Sequence, residues 1–220
     1  MDRVHKGGAL ACWQVGSRDE AILAADVGCD FIVAQGVEAG GHVRGKISTL
    51  ALLGDVLDAV DLPVLAAGGI GTARAVAAAM AAGADGVRVG TRFVAATEAG
   101  AHPAWVQALI RATAEDTVFT SKFSGGWPDA PHRLLRSCLT AAEAFQGDTV
   151  GANVTLTGDR ANIARFGTTV ADQTTTGTIE TMPLWAGESV SGVKRIQSAA
   201  EIMLELAQGT EGIVRHARTR

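Results

Sequence analysis

Two observations predict that the sequence forms an α/β fold built on a parallel sheet. Four short apolar runs alternate with helical segments of about 10 to 15 residues, the spacing of repeated βαβ units. Three of the runs end in glycine-rich turns, at residues 34–42, 68–71 and 90–93. Parallel strands end at one edge of their sheet, so these turns are predicted to line the edge where such sheets bind ligands.

The first strand and helix have clear start and stop signals. Residues 9–15 are apolar and bounded by glycines, which predicts a strand. Ser17 with Glu20 three residues later predicts a helix N-terminus with a capping box, and Gly28 ends that helix. Residues 31–34 form the second predicted strand.

The next two units follow the same order. Ser48 begins a helix, residues 64–67 form the third strand, Thr72 caps a third helix over 73–82, and residues 86–89 form the fourth strand. The helix after Ser48 is predicted to be amphipathic. Its apolar face consists of Leu50, Leu53, Val56, Leu57 and Val60.

The regular pattern weakens after residue 95. Glycine and proline predict a loop over residues 124–131, and the Thr- and Gly-rich region predicts long loops with short helical pieces over 147–180. The other predictions are helices over 102–113, 139–145 and 198–206, a short strand within 115–123, and a solvated basic tail over 215–220.

Composition excludes several classes of function. The 220 residues are 47% hydrophobic with a net charge of −4, which is typical of a soluble globular protein of one or two domains. A chain without a basic cluster is not expected to bind nucleic acid, and its apolar runs are too short for a bilayer. The three cysteines fit neither a disulfide framework nor a metal site and are predicted to be buried thiols in the cytoplasm.

The glycine-rich turns carry the chemistry. A glycine lacks a Cβ, so its N–H group can approach a ligand closely, and two neighbouring turns followed by helix starts favour a phosphate. His42, at the end of the first turn, could exchange a proton near neutral pH. Glu38, in the same turn, is predicted to bind backbone N–H groups rather than to act in catalysis.

Residues 34–42, 63–70 and 90–93 together resemble the nitronate monooxygenase family, and the resemblance extends over residues 7–145 and 185–187. It implies an FMN-dependent (β/α)8 barrel that oxidises alkyl nitronates with O2 to carbonyl compounds and nitrite. It implies that His42 is catalytic. It further implies contacts with the flavin ring from Gln14, Gln35, Gly40 and Gly41, and with the FMN phosphate from Gly68, Gly69, Gly90 and Thr91.

The matching motifs begin at what would be the fifth strand of such a barrel. The predicted fold is therefore the C-terminal half of a TIM-type barrel, with four βα units in residues 1–145 and a mostly helical extension over 146–220. The other half is expected from a longer protein, from self-association or from another polypeptide. Ser137 also departs from the family, which usually has asparagine there.

Two related functions and one unrelated function remain open on sequence. FMN-dependent enoyl-ACP reductases and NADH:quinone reductases carry similar turns, and an inactive fragment could persist as a structural or interaction domain. The expected partners of the favoured function are a nitronate or nitroalkane and O2, in the cytoplasm, with no nucleic acid, membrane or metal.

Overall fold

The computed structural model describes residues 1–218, and side chains as far as residue 216. The chain forms two compact units. The first contains Met1–Ala39, Val43–Val89 and the described residues from Met203 on, and the second contains Gly40–His42 and Gly90–Ile202. The sequence-based division at residue 145 stays a prediction.

The helices and strands have the following bounds. In chain order they are α1 (Asp2–Lys6), β1 (Cys12–Val15), α2 (Arg18–Asp26), β2 (Phe31–Gln35), β3 (Gly41–His42), α3 (Thr49–Leu57), β4 (Val64–Ala67), α4 (Ala73–Ala81), β5 (Gly86–Arg88), α5 (Thr91–Val94), α6 (Pro103–Arg111), β6 (Thr117–Thr120), β7 (His132–Leu135), α7 (Arg136–Ala144), β8 (Thr149–Val154), β9 (Arg160–Ala164), β10 (Thr176–Gly177) and α8 (Ala199–Arg218).

The first unit contains a parallel four-stranded sheet in the order β1-β2-β4-β5, which confirms the predicted α/β class and the four strands. The predicted caps are also present, although the Glu20 carboxylate accepts from the Gly16 N–H, where a capping box has the N–H of Ser17. Ser17 accepts a hydrogen bond from the Glu20 N–H, Thr72 accepts one from Ala75, and Gly28 has a φ of +82° after α2. Side chains of the two outer strands meet, since Arg88 of β5 donates to Gln14 of β1 over 2.6 Å. The bond places both side chains on one face of the sheet.

The core of the first unit lies between the sheet and its helices. Its buried members include Val15, Ile32, Ala34, Val64 and Ala66 of the strands. The buried face of α3 is Thr49, Leu52, Leu53 and Val56, with the i, i+3, i+4, i+7 spacing of a helix stripe. The predicted apolar face is confirmed except at one position. Leu53 and Val56 are buried, and Leu57 and Val60 pack against the core, whereas Leu50 is 58% exposed and Leu52 is buried instead.

The second unit contains two antiparallel sheets of three strands, β3-β7-β6 and β10-β8-β9. Within the first of these sheets His42 pairs with His132. The core includes large buried side chains from several elements, among them Leu109, Phe123, Leu134, Ile163 and Met182. The predicted strand within 115–123 is confirmed as β6.

The prediction of loops over residues 147–180 is wrong, because β8, β9 and β10 lie there. The glycines in this region were the reason for the loop prediction. A Cβ on Gly151 would lie 2.2 Å from the Thr176 carbonyl oxygen, so glycine is what lets β8 and β10 pair this closely. The last helix is also longer than predicted and runs to Arg218, through part of the predicted basic tail. Residues 219–220 of that tail lie outside the described part of the chain.

Two further expectations concern the surface. None of the described helices is both long and apolar enough to cross a membrane. Cys29 and Cys138 are buried as predicted, but Cys12 is exposed, which corrects the expectation that all three thiols are buried.

Candidate functional site

Gln35 ends β2 and supports the glycine-rich turn that follows it. Its side chain is buried, and Oε1 accepts a hydrogen bond from the Arg44 N–H over 2.9 Å. The Arg44 guanidinium in turn donates to Glu20 over 3.0 Å. This hydrogen bond therefore joins Gln35, at the start of the glycine-rich turn, to Arg44, which follows the turn.

Gln14 and Arg88 form a polar pair on one face of the parallel sheet. Gln14 is half-buried and Arg88 exposed, and the 2.6 Å bond between Nη1 and Oε1 holds the guanidinium in place. An arginine keeps its charge at any physiological pH. The sheet face on which Gln14 lies therefore also has the positive charge of Arg88. The sequence motifs did not identify Arg88.

Glu38 anchors the same turn to the start of α3. Its carboxylate accepts from the Thr49 N–H over 3.0 Å and from the Thr49 hydroxyl over 2.8 Å. The predicted bond to a backbone N–H is confirmed, although the donor lies eleven residues further along the chain. A carboxylate at a helix N-terminus satisfies a free N–H group and interacts favourably with the helix dipole.

We expect Glu38→Ala to lower the free energy of unfolding by about 1–2 kcal/mol, the usual cost of losing a helix cap. Urea unfolding followed by circular dichroism measures this change. Glu143→Ala, which removes an exposed carboxylate from α7, is the control and should leave stability nearly unchanged. Unchanged stability in Glu38→Ala would contradict the structural role.

Gly68 and Gly69 follow β4 with φ values of +109° and +68°, which other residues rarely adopt. A Cβ on Gly68 would lie 2.7 Å from the Thr49 hydroxyl, so this glycine is required by packing. A Cβ on Gly69 would meet nothing closer than Glu38 Cβ at 3.4 Å. At Gly69 the positive φ, and not a close contact, is therefore what favours glycine.

His42 lies in β3 within an aromatic cluster of the second unit. Its ring stacks on Trp127, with centroids 4.4 Å apart and planes at 25°. Trp185 lies 5.5 Å away, and His132 approaches edge-on at 5.7 Å. The imidazole thus has a largely apolar environment although it follows a polar turn.

Burial lowers the pKa of His42. Its imidazole is therefore neutral at neutral pH, with one nitrogen able to accept a proton and one able to donate a hydrogen bond. A neutral imidazole beside apolar rings is suited to removing a proton from a weak carbon acid.

His132 is fully buried and bonded at both nitrogens. Nε2 accepts from the Phe123 N–H over 3.3 Å, and Nδ1 lies 3.0 Å from the Ala130 carbonyl oxygen. Since a carbonyl can only accept, both bonds require the neutral ring with its proton on Nδ1. Burial and the nearby His42 lower the pKa of His132, although its bond to Ala130 opposes this.

These two imidazoles should make the fold sensitive to acid. Their pKa values lie below the ordinary 6.5, so the unfolded chain binds protons more readily than the folded chain. The stability they contribute is present above pH 6.5 and is lost as the pH falls through the lowered values. We expect the melting temperature to decrease as the pH is lowered from 6.5.

Two variants, His132→Gln and His132→Phe, separate the effect of protonating His132 from the effect of losing its hydrogen bonds. Neither variant titrates at this position, so the decline in melting temperature with acid should be shallower in both. Glutamine can still donate and accept, so it should be the more stable of the two at pH 8. An unchanged acid slope in both variants would contradict the role given to His132.

Gly40 and Thr91 meet the loop that contains Trp185. A Cβ on Gly40 would lie 2.4 Å from the Gly187 nitrogen, and the Thr91 hydroxyl accepts from the Gly187 N–H over 2.9 Å. Both residues therefore have a structural role in the second unit. Gly41, with a φ of +73°, and Gly90 have no heavy atom within 4 Å of a Cβ placed on them.

The predicted site residues fall into two groups. Gln14, Gln35, Gly68 and Gly69 belong to the first unit, and Gly40, Gly41, His42, Gly90 and Thr91 belong to the second. The sequence did not predict four residues that the structure places beside them: Arg88, Trp127, His132 and Trp185. The available signals for the two tryptophans were the loop predicted over residues 124–131 and the family resemblance at residues 185–187.

Comparison with known proteins identifies relatives of the whole chain. The family model described as nitronate monooxygenase matches residues 1–209. A Bacillus subtilis protein named as a nitronate monooxygenase is 29% identical over 219 residues, covering 94% of this chain and 60% of that protein. The chain spans about a third to three fifths of the length of the curated relatives it matches.

Solved structures show the same relationship. FabK from Thermotoga maritima has a TM-score of 0.75 and 25% identity, covering 99% of this chain and 66% of FabK. Nitroalkane oxidase from Streptomyces ansochromogenes has a TM-score of 0.72 and 27% identity, covering 99% of this chain and 61% of the oxidase. Because the family model covers nearly the whole sequence, the chain belongs to the nitronate monooxygenase family.

Proposed function

We propose that the chain takes part in the FMN-dependent oxidation of alkyl nitronates by O2 to carbonyl compounds and nitrite. The observation that carries the proposal is His42, a neutral imidazole held among aromatic rings directly after a glycine-rich turn. Family membership and the likeness to a nitroalkane oxidase support the reaction class.

The glycines among the predicted site residues suit a closely bound flavin because they have no side chain to block it. Gly41 and Gly90 have open space where a Cβ would lie, and a Cβ on Gly69 would make only ordinary contact with Glu38, so a cofactor can approach these positions closely. We propose that Gly68, Gly69, Gly90 and Thr91 hold the FMN phosphate, that Gly40 and Gly41 lie against its ring, and that Gln14 and Gln35 supply polar contacts. When bound, the flavin would accept electrons from the nitronate and pass them to O2.

The residues of the chain have distinct roles in this proposal. His42 removes the α-proton of a neutral nitroalkane and donates a hydrogen bond to the nitro oxygens. The two tryptophans reduce the access of water to the imidazole. Arg88, held by Gln14, supplies positive charge for an anionic flavin or substrate.

Oxygen consumption by the purified protein with propyl-2-nitronate, with nitrite measured in the same sample, tests the proposal. We expect oxygen uptake and nitrite release without NADH. The likeness to FabK favours a second candidate, an FMN-dependent reductase acting on an enoyl thioester or a quinone. NADH oxidation with either acceptor, and no nitrite from nitronates, would replace the proposed function with that one.

A further inference from the structure

The segment 124–130 is a loop whose two ends are fixed. The buried His132 ring bonds the Phe123 N–H just before the loop and the carbonyl of Ala130, its last residue, so one imidazole joins both ends. Gly125 is held as well, since its N–H donates to the Phe166 carbonyl over 3.2 Å and it bridges Gly167. Four residues, Gly126 to Asp129, lie between these anchors, and the Trp127 N–H donates to the Ser124 carbonyl over 3.0 Å.

These four residues begin and end at left-handed backbone positions. Gly126 has a φ of +83° with open space around it, and Asp129 has a φ of +55°. Trp127 lies between them and is 58% exposed, which is unusual for so large an apolar side chain.

The exposed indole covers one face of His42. The stacked rings leave no room for a third planar group between them at a centroid distance of 4.4 Å. A molecule that reaches this face must move the indole outward by about 3.5–4.0 Å, the usual contact distance between carbon atoms. An exposed side chain changes rotamer readily, so the indole can make this movement while the hydrogen-bonded backbone turn stays in place.

We propose that Trp127 is a movable cover over His42 and selects substrates with a flat, unsaturated or aromatic group beside the nitro carbon. The proposal rests on the proposed function, since it names the substrate class of the same site. A flat group that enters regains stacking with the indole and the imidazole, whereas a puckered saturated group of equal size does not. Trp185, 5.5 Å from His42, adds a second aromatic contact.

The test compares two nitroalkanes of matched size that carry no α-hydrogen and therefore neither ionise nor turn over, 2-nitro-2-phenylpropane and 2-cyclohexyl-2-nitropropane. Their dissociation constants are measured by nitrogen-15 NMR of the tryptophan indole signals, without turnover. We expect the phenyl compound to bind about three- to tenfold more tightly, and the Trp127 signal to shift on binding. Trp127→Phe should keep this ratio, and Trp127→Leu should bring it close to one.

Leu156→Ala is the control, because it removes an exposed apolar side chain from the tip of the β8–β9 hairpin. Its binding ratio should equal that of the unaltered protein. The proposal is overturned if Trp127→Leu keeps the preference, if the Trp127 signal does not respond, or if neither compound binds. A Trp127-dependent preference in a protein that oxidises no nitronate would contradict the proposed function alone.

Discussion

Replacing His42 with asparagine should lower turnover of a neutral nitroalkane by about 10²–10⁴-fold, the usual contribution of a positioned base. Asparagine is polar and of similar size, and it keeps a hydrogen-bond donor for the nitro oxygens. The loss should therefore be smaller with the preformed nitronate, which has no α-proton to remove. Steady-state oxygen uptake with nitroethane and with ethylnitronate measures both rates.

The matched control for His42 is His132→Gln. His132 lies in the same cluster but has both nitrogens bonded within the loop base, so it does not act on substrate. His132→Gln should affect the two substrates equally. If His42→Asn slows both substrates to the same extent, His42 is not the proton acceptor.

Replacing Gly69 with leucine should reduce flavin retention to background. The φ of +68° strains any side chain at this position by about 1–2 kcal/mol, and the leucine would cover the open backbone. Retention is measured as the ratio of flavin to protein absorbance after gel filtration. This measurement tests the proposed phosphate-binding turn separately from the proposed role of His42 in catalysis.

Gly28→Leu controls for backbone strain. Gly28 has a φ of +82° and no neighbour within 4 Å of a Cβ, and it follows α2 rather than a strand of the proposed site. Its variant should lose stability but keep the flavin. Full flavin occupancy in Gly69→Leu would remove this turn from the proposed cofactor site.

The first unit could be predicted because its signals are local. Each strand is a short apolar run bounded by glycine or proline, and Ser17, Thr72 and Gly28 mark helix ends within a few residues. Ser48 was likewise predicted as the residue that begins α3. The burial of Thr49 was not predicted, because its N–H donates to Glu38, eleven residues earlier in the chain.

The aromatic cluster could not be read from the sequence because its members are far apart in the chain. The pairing of β3 with β7 brings His42 to His132, and β3 has only two residues, too few for an alternating pattern. The glycine-rich turn did identify His42 as a candidate. The tryptophans beside it became visible only in the folded chain.

Anaerobic mixing of the flavin-loaded protein with propyl-2-nitronate tests most directly whether this chain serves in nitronate oxidation. The visible absorbance of the bound flavin reports its reduction without O2 and without NADH. We expect the nitronate to bleach the flavin, and air to restore the absorbance. A flavin that stays oxidised with nitronates but is bleached by NADH would contradict the proposed function.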